Sequence, residues 1–416
     1  MNKAKALVPK LRFPEFQGME GWIAKKLKDT CDVNPANSEL PERFVYIDLE
    51  SVEAGELKAR KITNRDEAPS RAQRLLRSGD VIFQIVRPYQ RNNLHFKANE
   101  SIDYVASTGY AQLRAKDSAD FLFQAVHVDD FVDRVIAKCT GSSYPAINSS
   151  DLADVSLAIP GPEEQQKIAN CLSSMDDLIA AQARKLDALK THKKGLMQQL
   201  FPREGETQPR LRFPEFENGG EWVEMSLERL GRVIRGASPR PKGDSRFYGG
   251  PIPRLMVQDV TRDGKWVTPQ IDSLTEEGAE LSRPCPVGTL TIVCSGNVGV
   301  VSFLAVDACI HDGFLAVIDI DESIATKDFL FHSLSTLREQ FEKSATHGGV
   351  FTNLTTSGIR QFMVRCPLLP EQHRIADCLT NLDDLITAQT QKLQALKTHK
   401  KGLMQQLFPS PEEVSA

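Results

Sequence analysis

Two stretches of the chain repeat apolar residues at alternating intervals of three and four positions. The first runs from residue 172 to 200 and the second from 379 to 407, and seven of nine such positions are apolar in each. This spacing is the a/d pattern of a coiled coil. It predicts two helices of roughly 37–39 residues, about 55–58 Å long at 1.5 Å per residue. The seam residues are Leu172, Met175, Ile179, Gln182, Leu186, Leu189, Lys193, Leu196, Leu200, Leu379, Leu382, Ile386, Gln389, Leu393, Leu396, Lys400, Leu403 and Leu407.

The two helical stretches are copies of each other. Residues 168–202 align without a gap on residues 375–409, and 27 of the 35 positions are identical. A second repeated word, LRFPEF, begins at Leu11 and again at Leu211, and each copy leads to a tryptophan. The chain is therefore a tandem duplication of a unit of about 200 residues, a period too long for a solenoid.

Between the repeated words the sequence varies, and its pattern predicts mixed domains with short strands. Asp80–Val86 and Thr289–Val293 are apolar runs of strand length that follow turn residues. The loops Arg87–Asn93 and Gly236–Gly243 combine cations with amides, aromatics, proline or glycine. The predicted class is α+β, with two mixed α/β domains separated by two long helices that form an antiparallel coiled coil in a pseudo-two-fold duplication.

Charge is distributed unevenly, although the formal net charge is only −4. Residues 58–97 contain ten basic and three acidic residues, a net of +7, and residues 232–265 contain eight and three, a net of +5. One such patch would suggest no more than a solvated basic face. Two patches in corresponding halves of a duplicated chain indicate a polyanionic partner, DNA or RNA.

The predicted nucleic-acid contacts lie in these basic stretches. Arginine pairs with guanine edges and phosphates, and amide side chains pair with adenine. The candidate DNA-binding residues are Arg87, Tyr89, Arg91, Asn92, Arg240, Lys242, Arg246 and Arg254.

Motifs for phosphate binding and methyl transfer are missing from the sequence. It contains neither G-x-x-x-x-G-K-[ST] nor G-x-G-x-x-G after a strand, and no Asn-Pro-Pro-aromatic word. Asp48, Glu56 and Lys58 faintly match a nuclease site, but a charged strand edge explains them better. His192 and His399 lie beside lysines in the duplicated helix and are interpreted as exposed. We therefore expect no catalytic residues.

The cysteine spacing and the hydropathy of the chain narrow the class of protein further. The eight cysteines show no C-x-x-C spacing, which argues against zinc, and we expect no metal site. The chain has no long apolar run, and its opening MNKAKALVPK lacks the apolar core of a signal peptide. We expect a cytoplasmic protein without a membrane segment.

Together these features resemble the DNA-specificity subunit of Type I restriction–modification enzymes, over essentially the whole chain. The resemblance rests on both LRFPEF words, on the helix openings Pro162–Gln165 and Pro370–Gln372, and on the helix body 176–201 with its copy. GDVIFQIVRPYQRN at 79–92 is similar to a target-recognition domain of that family, and so is the basic segment 236–260.

The resemblance implies a concrete function. In that family each target-recognition domain reads one half of a split DNA site, and the two helices set the gap between the halves. It implies a non-catalytic subunit that binds double-stranded DNA, docks two methyltransferase subunits and joins translocase–nuclease subunits. No cofactor is expected on this subunit, while S-adenosylmethionine, ATP and Mg are expected on its partners.

Two alternatives stay open at the level of sequence. One is a stand-alone nuclease or methyltransferase, which labelled S-adenosylmethionine mixed with the protein and DNA would detect. The other is a coiled-coil scaffold that binds only proteins, which a salt-dependent DNA shift would exclude.

The repeats also predict domain boundaries. They give an N-terminal repeat segment 1–21, a first target-recognition domain 22–160, a first spacer helix 161–202, a linker 203–221, a second target-recognition domain 222–367, a second spacer helix 368–409 and a C-terminal tail 410–416.

Polar seam residues constrain how the helices pair. A parallel pair in register would bury Lys193 against Lys400, which is costly. An antiparallel pair whose partner numbers sum to 582 places Gln182 against Lys400 and Lys193 against Gln389. A second antiparallel register, at a sum of 575, sets Gln182 against Leu393. We expect the antiparallel arrangement in the 582 register.

Overall fold

The chain folds into two compact units, each of which combines a mixed domain with part of both long helices. A computed structural model describes residues 7–37, 39–53, 55–98, 102–344, 346–348 and 351–409. Unit 1 comprises residues 1–184 and 391–416, and unit 2 comprises residues 185–390. The expected tail 410–416 and residues 1–6 of the N-terminal repeat segment lie outside the described residues.

Unit 1 contains short strands, short helices and the beginning of the first long helix. Its strands are β1 (Ile23–Lys26), β2 (Cys31–Val33), β3 (Arg43–Ile47), β4 (Val52–Glu53), β5 (Glu56–Leu57), β6 (Lys61–Asn64), β7 (Ala72–Leu75), β8 (Val81–Gln84), β9 (Leu94–His95), β10 (Asp103–Ser107), β11 (Tyr110–Ala115) and β12 (Ser156–Ile159). Its helices are α1 (Leu27–Thr30), α2 (Ala119–Ala125), α3 (Asp129–Ala137), α4 (Ser149–Ala153) and the start of α5 (Pro162–Leu200).

Two four-stranded sheets form the body of unit 1. Their strand orders are β6-β3-β10-β7 and β2-β11-β8-β9, and only the β3/β10 neighbours are parallel. A separate antiparallel pair, β1 with β12, brings the two ends of the variable region together just before α5 begins. The predicted strand at 80–86 is confirmed as β8, which is wholly buried.

Unit 2 repeats this plan with different strand lengths. Its strands are β13 (Val223–Ser226), β14 (Arg232–Arg235), β15 (Tyr248–Leu255), β16 (Trp266–Val267), β17 (Asp272–Leu274), β18 (Pro284–Cys285), β19 (Leu290–Val293), β20 (Val301–Leu304), β21 (Ala308–Ile310), β22 (Phe314–Ile318), β23 (Thr346–Gly348), β24 (Phe351–Asn353) and β25 (Met363–Cys366). Its helices are α6 (Leu227–Leu230), α7 (Val257–Asp263), α8 (Glu276–Glu280), α9 (Lys327–Thr336), α10 (Arg338–Ser344), α11 (Thr356–Arg360) and the start of α12 (Leu369–Leu407).

The sheets of unit 2 have the orders β14-β22-β19-β20-β16 and β17-β15-β21-β18, and β13 pairs with β25 as β1 pairs with β12. The predicted strand at 289–293 is confirmed as the buried β19. Equivalent caps start α2 and α9, where the side chains of Ser118 and Thr326 accept the N–H groups of Phe121 and Phe329. The predicted α+β class is confirmed, with two mixed domains and two helices of 39 residues.

The end of each long helix packs on a tryptophan of its own unit. In unit 1 the Phe408 ring lies 5.8 Å from Trp22 and 5.5 Å from Phe121. In unit 2 the Phe201 ring lies 6.2 Å from Trp222 in the same edge-on arrangement. Aromatic pairs at these distances add stabilisation beyond the area that they bury. The repeated Phe-Pro words are therefore packing residues as well as helix stops.

LRFPEF holds the beginning of each long helix. Arg12 donates to both carboxylate oxygens of Glu164, at 2.9 and 2.7 Å, and their side chains are only 8% and 4% exposed. Arg212 and Glu371 form the equivalent pair in unit 2, at 2.9 and 2.5 Å. The side-chain hydrogen bond to Glu164 raises the pKa of Arg12, so this guanidinium is charged at any working pH.

Within each unit the two helices run antiparallel. In unit 1, Leu172 shares a buried cluster with Leu403 and Met404, while Lys400 pairs with Asp176 at 2.6 Å. As numbers rise along α5 they fall along α12. None of the eighteen seam residues is exposed.

The lysine contacts differ from the expected 582 register. Lys400 pairs with Asp176, and Lys193 pairs with Asp383 in unit 2, so that both sets of partner numbers sum to 576. A sum of 576 lies one position from the 575 register and six from the 582 register. The 582 register was predicted from the seam residues alone. The carboxylates beside the seam were left out of that comparison, and it is these carboxylates that provide each lysine with a counter-charge.

Breaking the buried pair at the start of α5 is expected to destabilise unit 1. Arg12→Met leaves Glu164 buried and unpaired, which costs roughly 3–5 kcal/mol, and R212M should do the same in unit 2. The double variant R12M/E164M should recover most of the loss. Denaturant unfolding followed by tryptophan fluorescence measures these changes. The control K167M, which breaks an exposed pair with Glu15, should cost at most about 1 kcal/mol, and an equally small loss at Arg12 would contradict the assignment.

Candidate nucleic-acid interface

The loop that follows β8 has a constrained backbone. Arg87 and Arg91 both have a φ of 55°, in the left-handed region that residues other than glycine rarely adopt. Between them, Pro88–Gln90 forms one turn of 3-10 helix. Such conformations cost free energy and persist where surrounding contacts impose them, often at binding sites.

Contacts at the base of the loop impose this conformation. The backbone N–H of Gln84 donates to Asn93 Oδ1 at 2.8 Å. Arg91 pairs with Asp129 at 2.7 Å and donates to the His127 carbonyl at 3.1 Å. Burial acts to raise the pKa of Asp129, but hydrogen bonds and charge from Arg91 outweigh it and lower that pKa. Arg91, which we expected to contact DNA, is engaged in anchoring the loop.

A concave cleft of about 790 Å³ opens beside the loop. The Arg87 guanidinium lies 4.3 Å from the centroid of the Tyr144 ring, a cation–π contact that leaves the edge of the fork free to bind. Arg87 Nε is buried without a hydrogen-bond partner among the described residues. The cleft is lined by Leu49, Glu50, Arg71, Gln84, Val86, Arg87, Gln90, Asn92, Thr108, Gly109 and Tyr144.

Arg71 brings a second positive charge to this cleft. Its side chain is exposed, and no described residue forms an ion pair or a side-chain hydrogen bond with it. Sequence reasoning counted Arg71 in a basic stretch but did not select it. Tyr144 was missed as well, because only the fold brings it beside Arg87. Gln90, within the predicted loop, was also left out.

The other two candidates of unit 1 differ in position. Asn92 lines the cleft, and its backbone N–H donates to Gln84 Oε1 at 3.1 Å. Tyr89 lies on the 3-10 turn and is 50% exposed, but it is not part of the cleft wall. An exposed aromatic on a basic loop can still stack on a sugar or a base.

In unit 2, three of the four candidates are accessible. Arg240 is 72% exposed and 3.6 Å from Asp312, and Lys242 is exposed. Arg246 lies over the Phe247 ring at 5.0 Å and pairs with Asp244 at 2.8 Å. These contacts orient Arg246 but leave its side chain largely in solvent.

Arg254 is the exception. It is 4% exposed, and its guanidinium donates to Asp272 at 2.6 Å and to Ser238 at 2.5 Å. The expectation of a DNA contact at Arg254 is therefore withdrawn, because reaching a phosphate would expose a buried, paired charge. Arg254 instead holds the strand β15 against the loop that carries Ser238.

A neutral histidine lies behind the loop of unit 1. His127 Nδ1 is 2.6 Å from the Phe123 carbonyl and Nε2 is 3.2 Å from Asn93 Nδ2, which suits a ring that carries its one proton on Nδ1. Burial lowers the pKa of His127 to about 4, and the nearby Lys400 contributes in the same direction. Protonation would place a cation where Asn93 needs an acceptor.

Neither a cluster of metal ligands nor a membrane-spanning helix is found among the described residues. No group of three or more His, Cys, Asp or Glu side chains converges as a metal site requires. No described helix is both long and apolar enough to cross a membrane.

Basic, aromatic and amide side chains on a fixed loop, in a chain built from two equivalent units, are typical of a two-domain nucleic-acid-binding protein. The chain belongs to the family described as Type I restriction modification DNA specificity domain, which matches residues 19–191 and 220–398. Both matches together cover most of the chain, so each unit carries one copy of the specificity domain.

Individual relatives are distant. The chain is 27% identical to the MjaX specificity subunit of Methanocaldococcus jannaschii over 273 residues, which are 63% of this chain and 60% of that relative. It is 22% identical to the type I restriction enzyme HindI specificity subunit of Haemophilus influenzae over 376 residues, 74% of this chain and 81% of that one.

Solved structures show the same fold. A Type I restriction–modification S subunit from M. genitalium has a TM-score of 0.60 at 15% identity, with 97% of this chain and 99% of that one covered. A chain from a structure of a type I R-M system undergoing assembly and conformational transition has a TM-score of 0.58 at 22% identity, with 94% and 98% covered.

Acidification is expected to destabilise unit 1 through His127. Because its folded pKa of about 4 lies below the ordinary value near 6.5, the unfolded state binds the proton more readily, and stability is lost as pH falls through this interval. One such group contributes at most about 1.4 kcal/mol per pH unit. Denaturant midpoints measured from pH 7 to pH 4 should fall less steeply for H127Q. H192Q, on the exposed face of α5, should keep the wild-type slope, and an unchanged slope in H127Q would refute the assignment.

Proposed function

We propose that this chain is a sequence-specific DNA-binding subunit that reads a split DNA site, one half with each unit, and docks two methyltransferase subunits while performing no catalysis itself. The observation that carries the proposal is a duplicated frame, which consists of the two LRFPEF words with their tryptophans and the two long helices. Each copy of this frame carries a different basic domain, which we call its reader. The domain boundaries 22–160 and 222–367 are proposed for the two readers. Two readers of unlike sequence recognise unlike half-sites, and the helices between them set a fixed gap.

The cleft of unit 1 supports direct reading of bases. It combines the free fork of Arg87, the unpaired charge of Arg71 and the amides of Gln90 and Asn92. Phosphate contacts position a protein on the duplex, and base contacts specify the sequence. For unit 2 we propose Arg240, Lys242 and Arg246 as the corresponding contacts, since their side chains are exposed.

Removing the cleft arginines is expected to weaken DNA binding in a way that identifies the role of each. A duplex selected by the wild-type chain from a random library serves as the probe, and fluorescence anisotropy gives the affinity over a salt series. An arginine on a base should cost roughly 1–3 kcal/mol and relax the choice at one position. An arginine on a phosphate should reduce the salt slope by about one.

The variants are R71A and R87A, with R65A as the matched control, because Arg65 is paired with Glu39 and lies outside the cleft wall. R65A should leave both the sequence choice and the affinity close to wild type. If R71A and R87A behave like R65A, the cleft is not the interface.

Equivalent apolar residues exposed on both units support the docking of two copies of one partner. Leu178 on α5 is 46% exposed, and Leu385, the same position of the repeat on α12, is 39% exposed. Ile23 and Val223, which directly follow the tryptophan of each repeat, are both 59% exposed. Single exposed apolar side chains are common on protein surfaces, so it is their recurrence at equivalent positions of both units that favours docking of two copies of one partner.

Charged substitutions on the helices are expected to remove the partners one at a time. L178E should reduce the methyltransferase subunits bound per chain from two to one, L385E likewise, and the double variant should bind none. Light scattering of the chain mixed with a cognate methyltransferase subunit measures the stoichiometry. I136E, an exposed residue of α3 outside the repeated helix, should still bind two. Full occupancy in the double variant would show that the partner docks elsewhere.

A further inference from the structure

Within the cleft of unit 1, a chain of amide hydrogen bonds fixes one exposed glutamine in a single orientation. We infer that Gln90 reads an adenine of the first half-site and that Gln84 is the positioning residue that holds it for this task. The inference rests on the proposed function, because it names a base that the cleft would recognise.

This series of hydrogen bonds starts at a group that can act only as a donor. The backbone N–H of Asn92 can only donate, and it lies 3.1 Å from Gln84 Oε1. The other end of the same carboxamide, Gln84 Nε2, therefore faces Gln90 and donates to Gln90 Oε1 at 2.9 Å. Flipping Gln90 would bring two N–H groups together. The orientation of its carboxamide thus follows from a main-chain donor.

Gln84 cannot easily leave this position. It is 1% exposed at the end of β8, and its own backbone N–H donates to Asn93 Oδ1 at 2.8 Å. Turning its side chain would leave a buried amide without partners. The 3-10 turn that carries Gln90 is likewise held between the two left-handed arginines, one of which is anchored on Asp129.

Gln90 itself is exposed and lines the cleft. Its Nε2 donors make no hydrogen bond to the described residues, while its Oε1 uses one lone pair for Gln84 and keeps the second. The free edge of Gln90 therefore offers a donor beside an acceptor, in a fixed order.

Adenine complements this edge in the major groove, since its N7 accepts and its N6 amino group donates. Guanine presents two acceptors there, so its O6 would face Gln90 Oε1 and only one hydrogen bond would form. Cytosine offers the N4 donor and thymine the O4 acceptor, and neither offers both. Arg87, in the same cleft with its fork held over Tyr144, suits a neighbouring guanine better.

The first experiment locates the base. The half-site of unit 1 is defined by selection from a random duplex library with the wild-type full-length chain. Q90A is expected to lose preference for adenine at one position of that half-site by about 5- to 150-fold, the range of one bidentate contact, and to keep the second half-site. Q166E and Q166A on the exposed face of α5 serve as controls and should keep the wild-type preference.

The second experiment removes a single atom from the DNA. Replacing the adenine at that position with 7-deazaadenine removes N7, so wild-type affinity should fall, whereas the affinity of Q90A should fall no further. Q90E, which cannot donate to N7, should also be insensitive to 7-deazaadenine. If 7-deazaadenine lowers the affinity of Q90A as much as it lowers that of the wild type, the inference is overturned, because another residue then contacts N7.

A third variant tests the positioning role. Q84M removes the hydrogen bond that orients Gln90 and is expected to reduce the adenine preference at the same position while the salt slope stays at its wild-type value. A uniform loss across all positions would assign Gln84 a structural role only. If Q90A retains every preference while the wild type still selects a split site, the inference fails and the proposed function stands. If the wild type selects no sequence, the proposed function itself fails.

Discussion

Both units depend on one contact, the phenylalanine that ends a long helix packed edge-on against the tryptophan that follows LRFPEF. Phe408 meets Trp22 at 5.8 Å and Phe201 meets Trp222 at 6.2 Å. The geometry is the same, but the first contact closes a chain segment of 386 positions and the second only 21. For a flexible chain this difference costs roughly 2.5 kcal/mol of additional loop-closure entropy. Unit 1 is therefore easier to complete once unit 2 has folded and shortened the free chain between the contacting residues.

The same frame gives the letter-for-letter repeats a physical reason. The N–H of Leu11 donates to the Gln406 carbonyl in unit 1, and that of Leu211 donates to the Gln199 carbonyl in unit 2, both at 3.0 Å. The repeated words thus contact each other, and the buried pair of Arg12 with Glu164 recurs in unit 2. The main-chain bonds do not depend on side-chain identity, whereas a change at Arg12 or Arg212 would need a matching change at the buried glutamate that it pairs with. Where the partner is a variable domain the units diverge: Gln124 donates to Asp176 at 2.8 Å in unit 1, whereas His332 stands at the same place in α9.

Sequence patterns predicted the frame well and the reader only in part. Helix length, seam and strands β8 and β19 followed from periodicity, because burial imposes spacing on a chain. The register did not follow, since it depends on Asp176 and Asp383 beside the seam. Among the candidate DNA contacts, Arg87 faces the cleft, whereas Arg91 anchors its loop on Asp129 and Arg254 is buried. A linear sequence shows that an arginine is present in a loop but not which carboxylate the fold brings to it.

The residues that hold the reading loop belong to the variable domain, and one of them, Asp129, also contacts the long helix α12. Gln84 and Asn93 brace the two ends of the loop, and Arg91 anchors it on α3 through Asp129. None of these residues takes part in the aromatic contact with Phe408 or in the buried pair at the start of α5. Lys401 and Gln405 of α12 also contact Asp129, at 3.3 and 3.2 Å, so a domain that exchanges its reader together with its braces leaves the frame intact if the new braces keep an acceptor for these two side chains. The specificity of one unit can then change while the helices, and the partner surfaces proposed on them, stay as they are.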